Sequence, residues 1–167
     1  LNYADPLLAD SRVRQAMIYA IDRAAICREV LNGYCETPLT NVRQVSPAWS
    51  LPTEDVIEYD YNPGKARELL AEAGWDSSTE LTLLTRSGIS YVDRAITIAQ
   101  AQLAEVGINF TLRNVDVATL VELFEVNDGS WQAFWVSGAN FSVDPSAMET
   151  YASCASRYPA GGNTSQY

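Results

Sequence analysis

The chain has 167 residues, 47% of them hydrophobic, with no histidine, a single lysine (Lys65) and a formal charge of 11 − 21 = −10. At this size roughly 70% of the unfolded surface can be buried, enough for one domain or one lobe of something larger without a structural metal. The negative charge and the lack of any Lys/Arg cluster argue against a nucleic-acid partner, and without histidine no Ser-His-Asp triad, Cys-His pair or HExxH helix can be built.

The first pattern along the chain is helical. Val13, Ala16, Met17, Ala20, Ile21, Ala24, Cys27 and Leu31 follow the i, i+3, i+4, i+7 spacing of one buried stripe, which predicts a single helix over 11–31, capped by Asp10 or Ser11 and ended by Gly33. The charges beside that stripe, Arg12, Arg14, Asp22 and Arg23, read as a solvated face. From Glu36 to Asp60 the pattern dissolves into Pro38, Pro47, Pro52 and polar residues, predicting a long ordered loop. Asn62-Pro63 supplies a cap and a first-turn proline for a short helix with Ala66, Leu69, Leu70 and Ala73 inward and Gly74 at its end. Leu81 to Thr85 reads as a strand buried on both faces. Val92, Ile96, Ala99, Leu103 and Val106 make a further helix closed by Gly107. Ile108, Phe110 and Leu112 alternate with polar residues as a second strand. Asp116 can cap a helix with Val117, Leu120, Val121 and Phe124 inward, Trp131 to Val136 is a third strand, and Asp144-Pro145 caps a last helix.

Strand and helix alternating from residue 80 onward predict an α/β fold with a small, mainly parallel sheet and flanking helices. In such sheets ligands sit outside the carboxyl ends of the strands. Here those ends are Thr85-Arg86-Ser87-Gly88, Arg113-Asn114 and Val136 to Asn140. The segment Arg86 to Arg94 leads into a helix N-terminus, where unsatisfied N–H groups and the Arg94 guanidinium suit a carboxylate. Ser87 and Tyr91 lie in the same segment. The blander reading pairs Arg94 with Asp93 or another acid. No GxGxxG or P-loop is present, so a nucleotide phosphate is not expected. With no histidine and no C-x-x-C, no metal is expected, and no cofactor is called for. Trp131 suits core packing, whereas Trp135 lies nearer the strand's carboxyl end and suits a pocket wall. Glu54, Asp55, Glu58 and Asp60 lack calcium-loop spacing and read as a solvated acidic loop.

Three cysteines without a C-x-x-C signal neither zinc nor a thioredoxin-type site. Cys27 is either a buried thiol or the partner of Cys35 in a short disulfide, and Cys154 has no evident partner. No run of about 18 apolar residues exists to span a membrane. The opening LNYADPLLADS lacks a signal peptide's basic and apolar regions, as expected of an excised piece or of a processed chain.

Three segments carry a resemblance: SRVRQAMIYAIDRAAICREVLNG (11–33), EYDYNPGKARELLAEAGW (58–75) and AQLAEVGINFTL (101–112). Together they resemble the family 5 extracellular solute-binding proteins of ABC importers, the peptide, dipeptide and nickel receptors. The resemblance implies one lobe of a type II periplasmic-binding-protein-like fold over 1–167, with its compact core at about 10–155 and a second lobe elsewhere. It implies no catalysis, a monomer, a small-molecule or peptide solute, an ABC permease as membrane partner, and a periplasmic or extracellular place with or without a tether. It also implies that Arg94 holds a ligand carboxylate and that Trp135 lines the pocket. Peptide receptors place an aspartate three residues after that tryptophan to bind the α-amino group. Here the position is Gly138, and Asn140 or Asp144 are the substitutes. A non-peptide solute such as an oligosaccharide, an opine or a metal chelate is the related alternative. A carboxylate-based enzyme on an α/β scaffold is the reading from another class.

Overall fold

In the computed structural model of the chain, residues 1–2, 4–35, 57–86, 88–126 and 129–134 are described. The expected helix over 144–155 and most of the 36–60 loop lie outside them. Glu58 and Asp60, at the loop's end, are exposed.

A short 3-10 turn at Pro6–Leu8, which the sequence pattern does not signal, precedes the helices. The single helix predicted over 11–31 is in fact two, α1 (Ser11–Ala20) and α2 (Arg23–Leu31). The break has a local cause. Ile21 is extended (φ −101°, ψ 113°), and Asp22 turns its carboxylate onto the amide of Ala25 at 2.8 Å, acting as the N-cap of a new helix instead of a residue on a solvated face. The Asp22 amide is satisfied from elsewhere, by Gln102 Oε1 at 3.0 Å. Resetting the helix at this point shifts its buried stripe. Val13, Ala16, Met17 and Ala20 are buried as expected, but in α2 Ala25 and Val30 turn inward while Ala24 and Leu31 are exposed.

Asp10 is the cap of α1. It accepts the Arg12 amide at 2.8 Å and the Arg12 guanidinium at 2.6 Å, while Arg12 Nη1 reaches the Glu72 carbonyl at 2.7 Å and ties α1 to the end of α3 (Pro63–Glu72). Asn62 caps α3 through the Lys65 amide at 2.9 Å. Leu8, Val13, Ala16 and Met17 pack with Ala66, Leu69 and Leu70 in the main core.

The sheet consists of β1 (Glu80–Thr85), β2 (Asn109–Asn114) and β3 (Ala133–Phe134) in the order β2-β1-β3, and both pairings are parallel. Helix α4 (Ser90–Glu105) connects β1 to β2, and α5 (Val117–Val126) follows β2, capped by Asp116 on the Thr119 amide at 2.9 Å. Leu81 and Leu84, on opposite faces of β1, are both fully buried, as the apolar run requires. Ile108 and Phe110 are buried, but Leu112, also expected inward, is 37% exposed: β2 is the edge strand, and the core cluster ends at Phe110.

Gln132 joins the N-terminal segment to the sheet. Its main-chain N–H donates to the Thr82 carbonyl at 3.0 Å, and its side-chain Oε1 accepts the Thr82 amide at 2.7 Å. Nε2 donates to the buried Asp5 carboxylate at 2.8 Å, and the Gln132 carbonyl accepts the Asn2 amide at 2.8 Å. Gln132, Asp5 and Asn2 are all buried, so each of these bonds replaces one that water cannot make. Replacing Gln132 by leucine leaves the Thr82 amide and an Asp5 oxygen short of partners. The expected loss is about 2 kcal/mol of unfolding free energy by urea titration, and an unchanged midpoint would contradict the role given to this amide.

Hydrogen bonds from the Arg12 guanidinium and amide hold the Asp10 carboxyl down at about 2, against an ordinary 3.8. Because the folded value is the lower one, this stabilisation is present above 3.8 and is lost as pH falls through about 2. Asp10→Asn therefore flattens the fall in stability across that window, read by urea unfolding at stepped pH. A variant that keeps the wild-type slope would exclude Asp10 as its source.

Candidate functional site

Parallel pairing on both sides of β1 brings all three carboxyl ends to one edge of the sheet. Thr85 lies level with Asn114, and Leu84 lies level with both Arg113 and Phe134. Arg113 lies level with the buried Leu84, and Arg86 follows directly on the last residue of β1. Arg86, Arg94 and Arg113 are all exposed, and the ion pairs formed among the described residues, Arg12 with Asp10 and Lys65 with Glu68, involve none of them.

The helix leaving this edge is α4. It starts at Ser90 after Gly88, whose φ of 102° is a left-handed conformation suited to glycine. Its N-cap residue, Ile89, makes no side-chain bond to the first amides. The Val92 amide turns back onto the Ile89 carbonyl at 2.9 Å, while those of Ser90 and Tyr91 have no partner among the described residues, and it is these that suit an anion at the sheet's carboxyl edge.

Of the six residues expected to touch a ligand, Arg94 and Tyr91 fall within the described residues, and both are on the first turns of α4. Tyr91 is 49% exposed. Arg94 pairs with neither Asp93 nor another acid among the described residues. Its Nη2 donates to the main-chain carbonyl of Glu29, in the last turn of α2, at 2.6 Å. Ser87, Trp135, Asn140 and Asp144 lie outside the described residues, as do Gly138 and Cys154. Trp131 is core, as expected: it is 1% exposed, its indole N–H donates to the Leu123 carbonyl at 3.2 Å, and its ring meets Phe134 edge to face with centroids 5.9 Å apart.

The sequence leaves one feature open and misses another. Cys27 and Cys35 form a disulfide with Cα atoms 6.0 Å apart, which decides between the two readings that spacing leaves open. Thr85, the last residue of the central strand, is 5% exposed, and its hydroxyl has no hydrogen-bond partner among the described residues. Threonine is an ordinary strand residue, so nothing in the pattern distinguishes it. Among the described residues no three His, Cys, Asp or Glu side chains gather as a metal-ligating group.

A sequence profile described as "Bacterial extracellular solute-binding proteins, family 5 Middle" matches residues 1–159. A Brucella ovis protein, named as a candidate ABC transporter peptide-binding protein, is 34% identical over 167 residues, covering 97% of this chain and 31% of its own. The oligopeptide-binding protein AppA of Bacillus subtilis is 30% identical over 164 residues, 90% of this chain and 30% of AppA. The structure of AppA in complex with a nonapeptide superimposes with a TM-score of 0.82 at 29% identity, over 99% of this chain and 34% of that one. NikA of Brucella suis, solved with Fe(III)-EDTA, shares the fold at 23% identity and a TM-score of 0.77, over 99% of this chain and 34% of NikA. The chain thus spans about a third of the length of the relatives it matches.

A buried hydroxyl without a partner costs stability. Thr85→Val keeps the shape of the side chain and removes that group, so it should raise the unfolding free energy by about 1 kcal/mol. A loss of stability of that size on urea titration would mean that the hydroxyl is in fact bonded.

Proposed function

The chain belongs to the family 5 bacterial extracellular solute-binding proteins, and from that we propose that it is one lobe of the substrate-binding component of an ABC importer. It captures a peptide-like or related acidic solute between this lobe and a second one, and hands it to a membrane permease. The family is one of solute-binding proteins, which favours capture over catalysis and speaks against the carboxylate-enzyme reading. The family's members are extracellular, and we place this receptor in the periplasm or at the outer surface of the cell.

The observation that carries the choice of an acidic solute is the carboxyl edge of the sheet. Three exposed arginines, none ion-paired among the described residues, and a helix N-terminus whose N-cap residue, Ile89, makes no side-chain bond stand there in a chain whose formal charge is −10. On this reading Arg94 takes the solute's carboxylate. Tyr91 lies on the first turn of the same helix, and Ser87 and Trp135 are proposed as further contacts to the solute. The peptide-binding relatives favour an oligopeptide. Gly138, standing where the family resemblance calls for an aspartate, favours a solute whose amine is held by Asn140 or Asp144, or one that has no free amine.

The test uses the full-length receptor with trialanine and its C-terminal amide, read by calorimetry. Charge-assisted hydrogen bonds to a carboxylate are worth about 1.5–3 kcal/mol, so Arg94→Ala should weaken the free acid at least about tenfold and leave the amide unaffected. Equal affinity of wild type and variant for the acid would remove Arg94 from the site.

A further inference from the structure

We propose that the Cys27–Cys35 disulfide, through the Glu29 carbonyl enclosed in its loop, positions the Arg94 guanidinium for the solute's carboxylate; this rests on the reading of Arg94 given above. The carbonyls in the last turn of an α-helix have no acceptor role left within the helix and carry its partial negative charge. In α2 one of these, Glu29 O, is taken by Arg94 Nη2 at 2.6 Å. The bond crosses from one helix to another, between residues 65 positions apart in sequence.

The turn that supplies this carbonyl is tied down at Cys27. Asn32 (φ 51°) and Gly33 (φ 81°) are both left-handed, and their amides both converge on the Cys27 carbonyl, that of Gly33 at 3.2 Å. The Cys27 sulfur is bonded to Cys35, eight residues on. The Tyr34 amide closes onto the Leu31 carbonyl at 2.9 Å. A nine-residue helix is short enough to fray at its end. Here main-chain bonds and a covalent link close the frayable turn into a ring with Glu29 inside it.

A guanidinium offers five N–H donors, and among the described residues Arg94 commits one of them. The others can form a two-pronged bond with a carboxylate. An arginine on an exposed helix surface samples many rotamers, and ordering it on binding costs affinity. Fixing one donor on a rigid carbonyl removes part of that cost before the solute arrives. The disulfide and the Glu29 carbonyl are positioning elements: they touch Arg94 or the turn that holds it and need not touch the solute.

The experiment again uses the full-length receptor, with trialanine and its C-terminal amide as probes. Cys27→Ser/Cys35→Ser should lower the preference for the acid over the amide by about tenfold, toward the ratio of Arg94→Ala, with affinity for the amide unchanged. A purely structural disulfide would shift both probes alike. If Arg94→Ala loses the preference and the double serine variant keeps it, the positioning proposal is overturned. If Arg94→Ala does not change the preference, or neither probe binds, the carboxylate reading fails on its own. The coupling between disulfide and arginine is then read from the cycle of wild type, Arg94→Ala, the double serine variant and their combination in urea unfolding. Non-additivity of about fivefold or more in the unfolding constant supports the link, and additivity within about twofold rejects it. Cys35→Ser alone replaces the double variant if the latter does not fold.

Discussion

The site depends on one constraint: β1 is hydrogen-bonded in parallel on both of its edges and buried on both of its faces. Leu81 and Leu84 have no exposed surface, and the strand pairs with β2 on one side and β3 on the other. A parallel neighbour cannot be reached by a hairpin, so the chain must cross back over the sheet between strands. That requirement puts α4 between β1 and β2, starts it at the carboxyl edge, and gathers Arg86, Arg94 and Arg113 in that region of the molecule. The weak member of the sheet is β3, with two residues in the ladder. Gln132 compensates by extending the pairing with a side chain: its Oε1 and main-chain N–H together take both polar groups of Thr82. The buried Asp5 carboxylate fixes which way that amide faces, because only the NH₂ group can donate to it.

Much of this architecture is legible in residue spacing, and where legibility fails the cause is local. The helices at 63–72 and 90–105 and the strand at 80–85 follow from periodicity and from turn chemistry at Asn62-Pro63, Gly74 and Gly107. The helix over 11–31 is misread because its apolar stripe runs unbroken through Ile21, while the break is made by Asp22, a residue equally at home on a helix surface and at a cap. Its choice depends on a tertiary bond, from the Asp22 amide to Gln102, that no local window contains. Leu112 fails for a related reason. Alternation marks the side of a strand its residues occupy but not how far along that strand the core extends.

The site is legible in part. That the carboxyl edge is the place to propose a ligand follows from topology, and Arg94 is the proposed carboxylate holder because it lies one turn into a helix whose N-cap, Ile89, makes no side-chain bond. Its main-chain partner is invisible in sequence, because every residue has a carbonyl and nothing distinguishes that of Glu29 until α2 and α4 are packed together. The Cys27–Cys35 bridge is open to either reading from sequence, since the same spacing on an uninterrupted helix would place Cys27 in the core. Ending the helix at Leu31, with Asn32 and Gly33 left-handed, turns the chain back and brings Cys35 to it.

The charge that opens the sequence reading takes on a more specific meaning beside this edge. A formal charge of −10 opposes an acidic solute at long range, but screening limits that repulsion to about 8 Å at physiological ionic strength. Inside that distance the nearest groups dominate, and at the carboxyl edge these include guanidiniums with no carboxylate partner among the described residues. The net charge of this chain alone does not help such an edge to steer anions in from solution. If the edge binds the solute as proposed, its contribution falls on the rate of departure, through short hydrogen bonds formed once the solute is seated. A receptor working that way needs its arginine already in place when the solute arrives. On the proposed reading, the short helix end closed by a disulfide and bonded to Arg94 is the means of keeping that arginine there.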